Sequence, residues 1–455
     1  MSNIYYDDAL PYMVRILKTK ITIKDIERNV FLRDPSGQLT FVVIEDDIDR
    51  VVLDELIATI TAELVPYVDG DGFAISTPAE LFDDTLKVST AFRLSLMIDG
   101  SEMQLNMIDR RIIGNDWLQT PIDRGSVPRI VFASLKGGVG RSTALCVAAS
   151  ALASAGQRVL AIDMDVEAPG LGSMLLTKET SPALGLLDYL VEANFGRSAE
   201  ELLDILIAPS WLSDGVGVID VIPALGARAL AAPQSVLSKV SRAYVSHDAA
   251  SQGVTARMQK LINAAENSLR YDVIVVDARA GLHETTGAAL LGLGAKLLVF
   301  GTDQPQTFEA FRLLFANLSM VAAGGLDGNI SVVHAKSTSN IDARNAFAMQ
   351  MQELVIEEMY GRRDEGVKPS VTGMTFDVDW ETDESVLVEI VDDFLSVEER
   401  APRVVHIGES ELFRDFDPLD RPETLTQHTY AAVYGEFISH VFRLANVPSL
   451  GDADD

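Results

Sequence analysis

From Arg129 onward, short runs of branched and aliphatic residues recur with helix-length segments between them: RIVFASL, RVLAIDMD, VGVIDVIPAL, YDVIVVDA, KLLVFGTD, NISVVHAK and RVVHIGES. Apolar runs on that schedule predict parallel strands buried on both faces by crossover helices. The predicted fold class is therefore α/β, a mostly parallel β-sheet flanked by helices. Ligands of such sheets sit at the carboxyl ends of the strands, where every motif below falls.

Residues 1–125 have a different rhythm. QLTFVVIEDD reads as a strand, and Leu53, Ile57, Ile60 and Leu64 recur at helical spacing after a candidate Asp49 N-cap. FRLSLMIDGSEMQLNMID reads as two strands around an Asp99-Gly100 turn. A smaller N-terminal α+β domain, 1–125, is expected; it clusters no nucleophiles, bases or metal ligands and so reads as a regulatory or interaction module. TPIDRGSVPR is the expected linker to a second domain, 126–455.

Charge and composition exclude several classes. The 455 residues carry a formal net charge of −30, a field that repels phosphate backbones and anionic lipid. Neither direct nucleic-acid binding nor membrane association is expected. Cys146 is the only cysteine, which excludes an intrachain disulfide framework or a cysteine-based zinc site. No stretch reaches the roughly 18 apolar residues of a membrane helix, and the first residues show no leader pattern, so a cytoplasmic setting is expected.

The sharpest chemistry lies in VFASLKGGVGRSTALCV, Val131 to Val147. A strand runs into glycines and then a helix predicted from near Ser142 to Gly156. Gly137, Gly138 and Gly140 let backbone N–H groups turn toward an anion, and the helix N-terminus adds positive charge. A phosphate is the natural occupant. Ser142 offers a hydroxyl to Mg²⁺, and Thr143 reaches toward an α-phosphate. The loop fits G-x-x-x-x-G-K-(S/T) only loosely, because Leu135 holds the place of the first glycine and Arg141 that of the lysine. Two further motifs close on it. RVLAIDMDVEAPGL places Asp163 and Asp165 two residues apart at a strand end, followed by a Pro169-Gly170 turn. YDVIVVDARAGLHE ends four apolar residues on Asp277, the Walker B pattern, whose carboxylate holds Mg²⁺. His283 and Glu284 read as surface loop.

KGGVGRST resembles the deviant Walker A loop of the ParA/MinD ATPases of the SIMIBI class, usually written KGGVGK(S/T)T, and specifically its KGGVGR-motif branch. The resemblance implies a P-loop NTPase that binds ATP and Mg²⁺ through Lys136, Gly137, Gly138, Val139, Gly140, Arg141, Ser142 and Thr143. It implies a homodimer with nucleotide between the subunits, in which Lys136 reaches the partner's phosphates. Asp163 and Asp165 fall in the switch I motif, Asp165 as the residue that positions the attacking water and Asp163 as a magnesium or loop-ordering residue. Asp277, Arg279 and Gly281 fall in switch II. Magnesium is assigned to Ser142, Asp163 and Asp277, and the catalytic roles to Lys136 and Asp165. FGTDQPQTFEAFRLL is similar to the family's strand and helix with a T-x-x-x-x-S/T pattern. His334 is the nearest candidate where relatives place an adenine-reading asparagine, and RVVHIGESELFRDFDPLDRP is a candidate wall of the base pocket.

The resemblance spans residues 129–445, with poorly matched insertions at about 180–270 and 338–400. The second insertion holds FDVDWETDESVLVEIVDDFLSVEE, whose ten acidic residues read either as a solvated face or as a docking surface for a basic partner. The leading expectation is a slowly hydrolysing dimeric ATPase switch that regulates a protein partner, with an anti-phage setting suggested by resemblance alone. Two alternatives stay open: a nucleotide-binding scaffold without turnover, and an ATP-dependent ligase or amidotransferase on the same fold.

Overall fold

The structure is a computed structural model that describes residues 4–448 except 45–47, 88–90, 123–124, 214–215, 246–252, 323–328 and 362–401. The acidic segment at 376–399 lies outside the described residues. Two compact units divide the chain, Met1–Asn115 and Asp116–Asp455. The boundary falls ahead of the expected linker, because Asp116 and Trp117 are buried within the second unit.

In the first unit, helices α1 (Tyr6–Lys18), α2 (Ile23–Arg28) and α3 (Arg50–Leu64) accompany strands β1 (Val30–Arg33), β2 (Leu39–Val42), β3 (Ile75–Ser76), β4 (Phe92–Ile98) and β5 (Ser101–Asp109). The mixed sheet runs β3-β2-β1-β5-β4. Asp49 caps α3 by accepting from the Val51 N–H at 2.9 Å. Asp99 and Gly100 take φ of 52° and 78°, the left-handed pair that a tight hairpin needs, and Ile98 pairs with Ser101. Met13, Leu17, Ile26, Leu56, Ile60 and Leu64 from the helices share one core with Phe31, Phe41, Leu105 and Met107 from the sheet.

The second unit holds β6 (Arg129–Ser134), α4 (Arg141–Ser154), β7 (Arg158–Asp163), α5 (Leu171–Leu175), α6 (Leu186–Glu192), α7 (Ala199–Leu206), β8 (Ala208–Pro209) and β9 (Val218–Ile222). There follow α8 (Ala227–Ala231), α9 (Val236–Ala243), α10 (Val254–Asn267), β10 (Val273–Ala280), α11 (Glu284–Leu291) and β11 (Lys296–Gly301). Last come α12 (Pro305–Ala322), β12 (Ile330–Ser337), α13 (Ile341–Val355), β13 (Arg403–Gly408) and α14 (Gln427–Leu444). Its eight-stranded sheet runs β13-β12-β11-β6-β10-β7-β9-β8, parallel except for the two-residue edge strand β8. All seven expected strands are present, and the fold class is the expected one. Alternation explains why the runs are continuously apolar: Ile130 and Phe132 of β6 enter the core under α4 and α14, while Val131 and Ala133 enter the core on the opposite face. Among the described residues no helix is long and apolar enough to cross a membrane.

Candidate functional site

The strand β6 ends at Ser134, and the loop that follows meets α4 at its N-cap, Gly140. Gly138 and Gly140 take φ of 74° and 84°, which side-chain-bearing residues rarely adopt. A Cβ on Gly137, Gly138 or Gly140 would meet nothing within 4 Å, so the glycines serve the backbone path and the open space above it rather than a close neighbour. The first N–H groups of α4 have no partner inside the helix, and its dipole is positive at this end. Beside them opens a cleft of about 480 Å³, lined by Gly137 to Thr143 and Asp165 on one side and by Lys336, Ile407, Gly408, Ser410, Phe413, Arg414 and Tyr434 on the other.

Under the loop lies a buried charge cluster. Parallel pairing sets Asp277 of β10 beside Asp163 of β7 and Phe132 of β6, so both carboxylates reach the sheet's carboxyl edge at one level. The Arg141 Nε donates to Asp277 Oδ1 at 2.5 Å, Nη1 donates to Ser134 Oγ at 3.4 Å, and Nη2 lies 3.6 Å from Asp165 Oδ2. The Ser142 hydroxyl donates to the other Asp277 oxygen, Oδ2, at 2.5 Å. The Arg141 side chain is only 8% exposed, turned inward to the carboxylates. Burial pushes the Asp277 carboxyl up, against the opposing pull of Arg141 and Ser142. Asp163 is pushed up to about 7, by burial first and by the Asp277 charge second.

Asp163 also orders the loop after β7. Its Oδ1 accepts from the Asp165 N–H at 3.0 Å, and its Oδ2 accepts from Gly170 and Leu171 at 3.3 and 3.1 Å, which fixes the Pro169-Gly170 turn. Asp165 accepts from the Ala168 N–H at 3.1 Å and lines the cleft. From the same loop, Glu167 bridges the segment after β10: it pairs with Arg279, takes His283 Nε2 at 3.0 Å and accepts from the Tyr244 hydroxyl at 3.0 Å. These partners, Arg279 first, hold its carboxyl below the usual range. Gly281, at φ 92°, donates its N–H to Ser134 O at 3.0 Å and so ties that segment back to β6.

Of the expected residues, Arg141, Ser142, Asp163, Asp165 and Asp277 converge, and Gly137 to Thr143 line the cleft. Lys136 is half-buried and does not line it. His334, the nearest candidate for the adenine-reading position, does not line the cleft: it stacks on Phe347 with centroids 3.9 Å apart and is bonded to His406 Nδ1 at 3.0 Å, whereas Lys336 does line it. A register shift in the β12–β13 pairing between His334 and Ser337, with Lys336 at φ 52°, marks the break in the strand's alternation there. The surface-loop reading of His283 and Glu284 also fails. Glu284 is 5% exposed and accepts from the Asp116 N–H at 3.2 Å, and His283 O accepts from the Trp117 indole at 2.9 Å. Asp116 accepts in turn from the Val254 and Thr255 N–H groups at 3.1 Å each, capping α10. A Cβ on Gly287 of α11 would come within 3.0 Å of the Trp117 ring. Sequence reasoning missed Glu167, Tyr244 and Lys336. Glu167 alone carried a signal, its place inside the DMDVEAPGL motif.

A profile of the CobQ/CobB/MinD/ParA nucleotide binding domain matches residues 130–362. Among solved structures, a putative plasmid partition protein from Borrelia burgdorferi B31 bound to AMPPNP matches at 18% identity over 70% of this chain and 99% of that one, with a TM-score of 0.40. MinD from Aquifex aeolicus matches at 18% over 71% and 98%, with a TM-score of 0.40. The pNOB8 ParA bound to nonspecific DNA matches at 18% over 70% and 99%, with a TM-score of 0.41. The expectation that this chain avoids nucleic acid gains no support from these matches. No curated protein gives a match.

Proposed function

Since this chain belongs to the CobQ/CobB/MinD/ParA nucleotide-binding family, we propose that it is an ATP-binding, slowly hydrolysing switch that closes as a homodimer and acts on a protein partner. One observation carries the reading: a cation, a hydroxyl and three carboxylates converge beneath a glycine loop and a helix N-terminus that border an open cleft. The loop backbone and α4 hold the phosphates, and the Lys336, Phe413 and Tyr434 side of the cleft receives the base. Asp165, at the rim, orients the water that attacks. Lys136, which does not line its own cleft, serves the partner subunit's nucleotide.

Ser142 Oγ and the Asp277 carboxylate are oxygen donors of the kind magnesium takes, with Asp163 one strand away, but Ser142 Oγ donates to Asp277 Oδ2 at 2.5 Å and Arg141 holds Asp277 Oδ1. When bound, the ion supplies charge neutralisation between phosphate oxygens. Glu167, held by Arg279 and His283, joins the two segments that flank the γ-phosphate position, and the N-terminal unit or a partner reads their state. The net charge of −30 supports a protein partner over a polyanion.

Mass in solution and phosphate release test this with ATP, ADP and no nucleotide, for wild type, Lys136→Ala and Asp165→Ala. Wild type should dimerise with ATP and release phosphate, Lys136→Ala should stay monomeric, and Asp165→Ala should dimerise without turnover. A wild type that neither binds ATP nor changes its association sinks the switch. Identical behaviour of wild type and Asp165→Ala in both assays favours a scaffold without turnover, a reading that the inward pairing of Arg141 with Asp277 also supports.

A further inference from the structure

Arg141 is the residue in which the loop departs from its lysine-bearing relatives, and its placement is specific. Its Nε bonds Asp277 Oδ1, while Nη1 reaches Ser134 Oγ at 3.4 Å and Nη2 lies 3.6 Å from Asp165 Oδ2. A lysine has one nitrogen, a point charge, and cannot span these three positions together. The two groups best suited to hold magnesium, Ser142 and Asp277, are meanwhile bonded to each other, and the remaining Asp277 oxygen is taken by Arg141. Both Asp277 oxygens are therefore satisfied by donors of the chain itself. For magnesium to take the carboxylate, a buried guanidinium must surrender its shortest ion pair, and an arginine cannot shed its proton to lower that cost. A metal that keeps near-ideal octahedral geometry and gives up water reluctantly competes poorly for such a carboxylate.

We infer that the Arg141 guanidinium fills the cation position beside Asp277, so that this chain binds ATP with little dependence on magnesium. Arg141 is then a positioning residue with a double reach, its carboxylate partners behind and the phosphates of the cleft in front. The position is preset before nucleotide arrives, because the buried guanidinium is already bonded to Asp277, with Ser134 and Asp165 beside its other nitrogens. The inference rests on the nucleotide-binding reading above and sharpens it by making the arginine a substitute for the metal rather than a variant of the lysine.

Equilibrium binding of ATP by calorimetry, on the full chain stripped of metal, separates the outcomes. Wild type in EDTA and in excess MgCl₂ should give dissociation constants within about threefold of each other, while Arg141→Lys should bind about tenfold or more tightly with magnesium than without it. A wild type that loses about tenfold or more in EDTA overturns the inference and leaves the nucleotide-binding reading intact. An Arg141→Lys protein as indifferent to magnesium as wild type overturns the assignment to Arg141. Wild type that binds in neither buffer sinks the underlying reading and the inference with it. Should Arg141→Lys fail to fold, as far-ultraviolet circular dichroism would report, the wild-type pair of titrations still decides.

Discussion

Strand β6 carries a buried arginine at its start and leads through the glycine loop to another, and the two sit in opposite electrostatic settings. At the amino end Arg129 meets one carboxylate, Glu266, at 2.9 Å from Nη2 and 3.0 Å from Nε, and its third nitrogen, Nη1, donates to Leu293 O at 2.8 Å. Gly125 lies so close over this pair that any side chain there would strike both partners. Charge is matched one to one and the site is closed. Past the carboxyl end Arg141 meets Asp277 and Asp165, with Asp163 one strand away, so two carboxylates share one guanidinium and a third acid lies close by, beside an open cleft. The sheet thus places the same residue type in a closed pair where charges balance and beside an open cleft where they do not. An uneven cluster is tolerable because burial and repulsion keep Asp163 protonated toward neutral pH.

The contrast can be broken first at its balanced end. Glu266→Ala strands a buried guanidinium and should cost about 3–5 kcal/mol, read as a shift of the urea midpoint, with ATP affinity unchanged. A midpoint that stays put would mean that the amino-end pair holds nothing. Asp277→Asn should behave the other way round. Its stability cost is smaller, about 1–3 kcal/mol, because Asp165 still faces Arg141, but phosphate release should fall about a hundredfold or more. Equal stability losses in the two variants would erase the distinction drawn here.

Acid should act alike at two points along β12. His440, bonded to Ser331 near the start of β12, and His334, further along the same strand, are each held neutral down to about 4, chiefly by burial. In the unfolded chain these imidazoles protonate near their ordinary value of 6.5, so this stability is complete above about pH 6.5 and is lost as the pH falls toward 4. Either His440→Gln or His334→Gln should remove about 1–3 kcal/mol of that loss, seen as a flatter urea midpoint between pH 6.5 and 4.5. If one substitution removes all of it, the two points differ in acid. The smallest effect belongs to Tyr244→Phe, which deletes one hydrogen bond to Glu167 and should cost about 1 kcal/mol. Thermal melts with and without ATP check it: a cost that vanishes with ATP means the bridge opens when nucleotide binds.

Local signals were readable and distant ones were not. The loop Gly137–Ser142, the strand-end aspartates 163 and 277, the Asp49 cap and the Asp99-Gly100 turn all depend on residues within a few positions of one another, so the letters alone place them. Asp116 reaching Val254, Tyr244 reaching Glu167 and the face chosen by His334 depend on pairings across 72 to 138 positions, which no local pattern encodes. Strand β8 escaped for a different reason, being two residues long and ending in Pro209, a residue that only a sheet edge accommodates. The irregularity that marks Lys336 left no trace in NISVVHAK.

The anchoring of Asp116 and Trp117 bears on how such proteins can be assembled from parts. Proline and glycine suggest cutting at TPIDRGSVPR, yet a polypeptide begun at residue 126 would lose the acid that caps α10 and the indole that lies against Gly287. It would begin life with a hole beside the helix that follows Arg279. An exchange of the N-terminal module would therefore preserve the second unit only if the crossover lies upstream of Asp116, because this Asp-Trp pair belongs to the packing of the second unit.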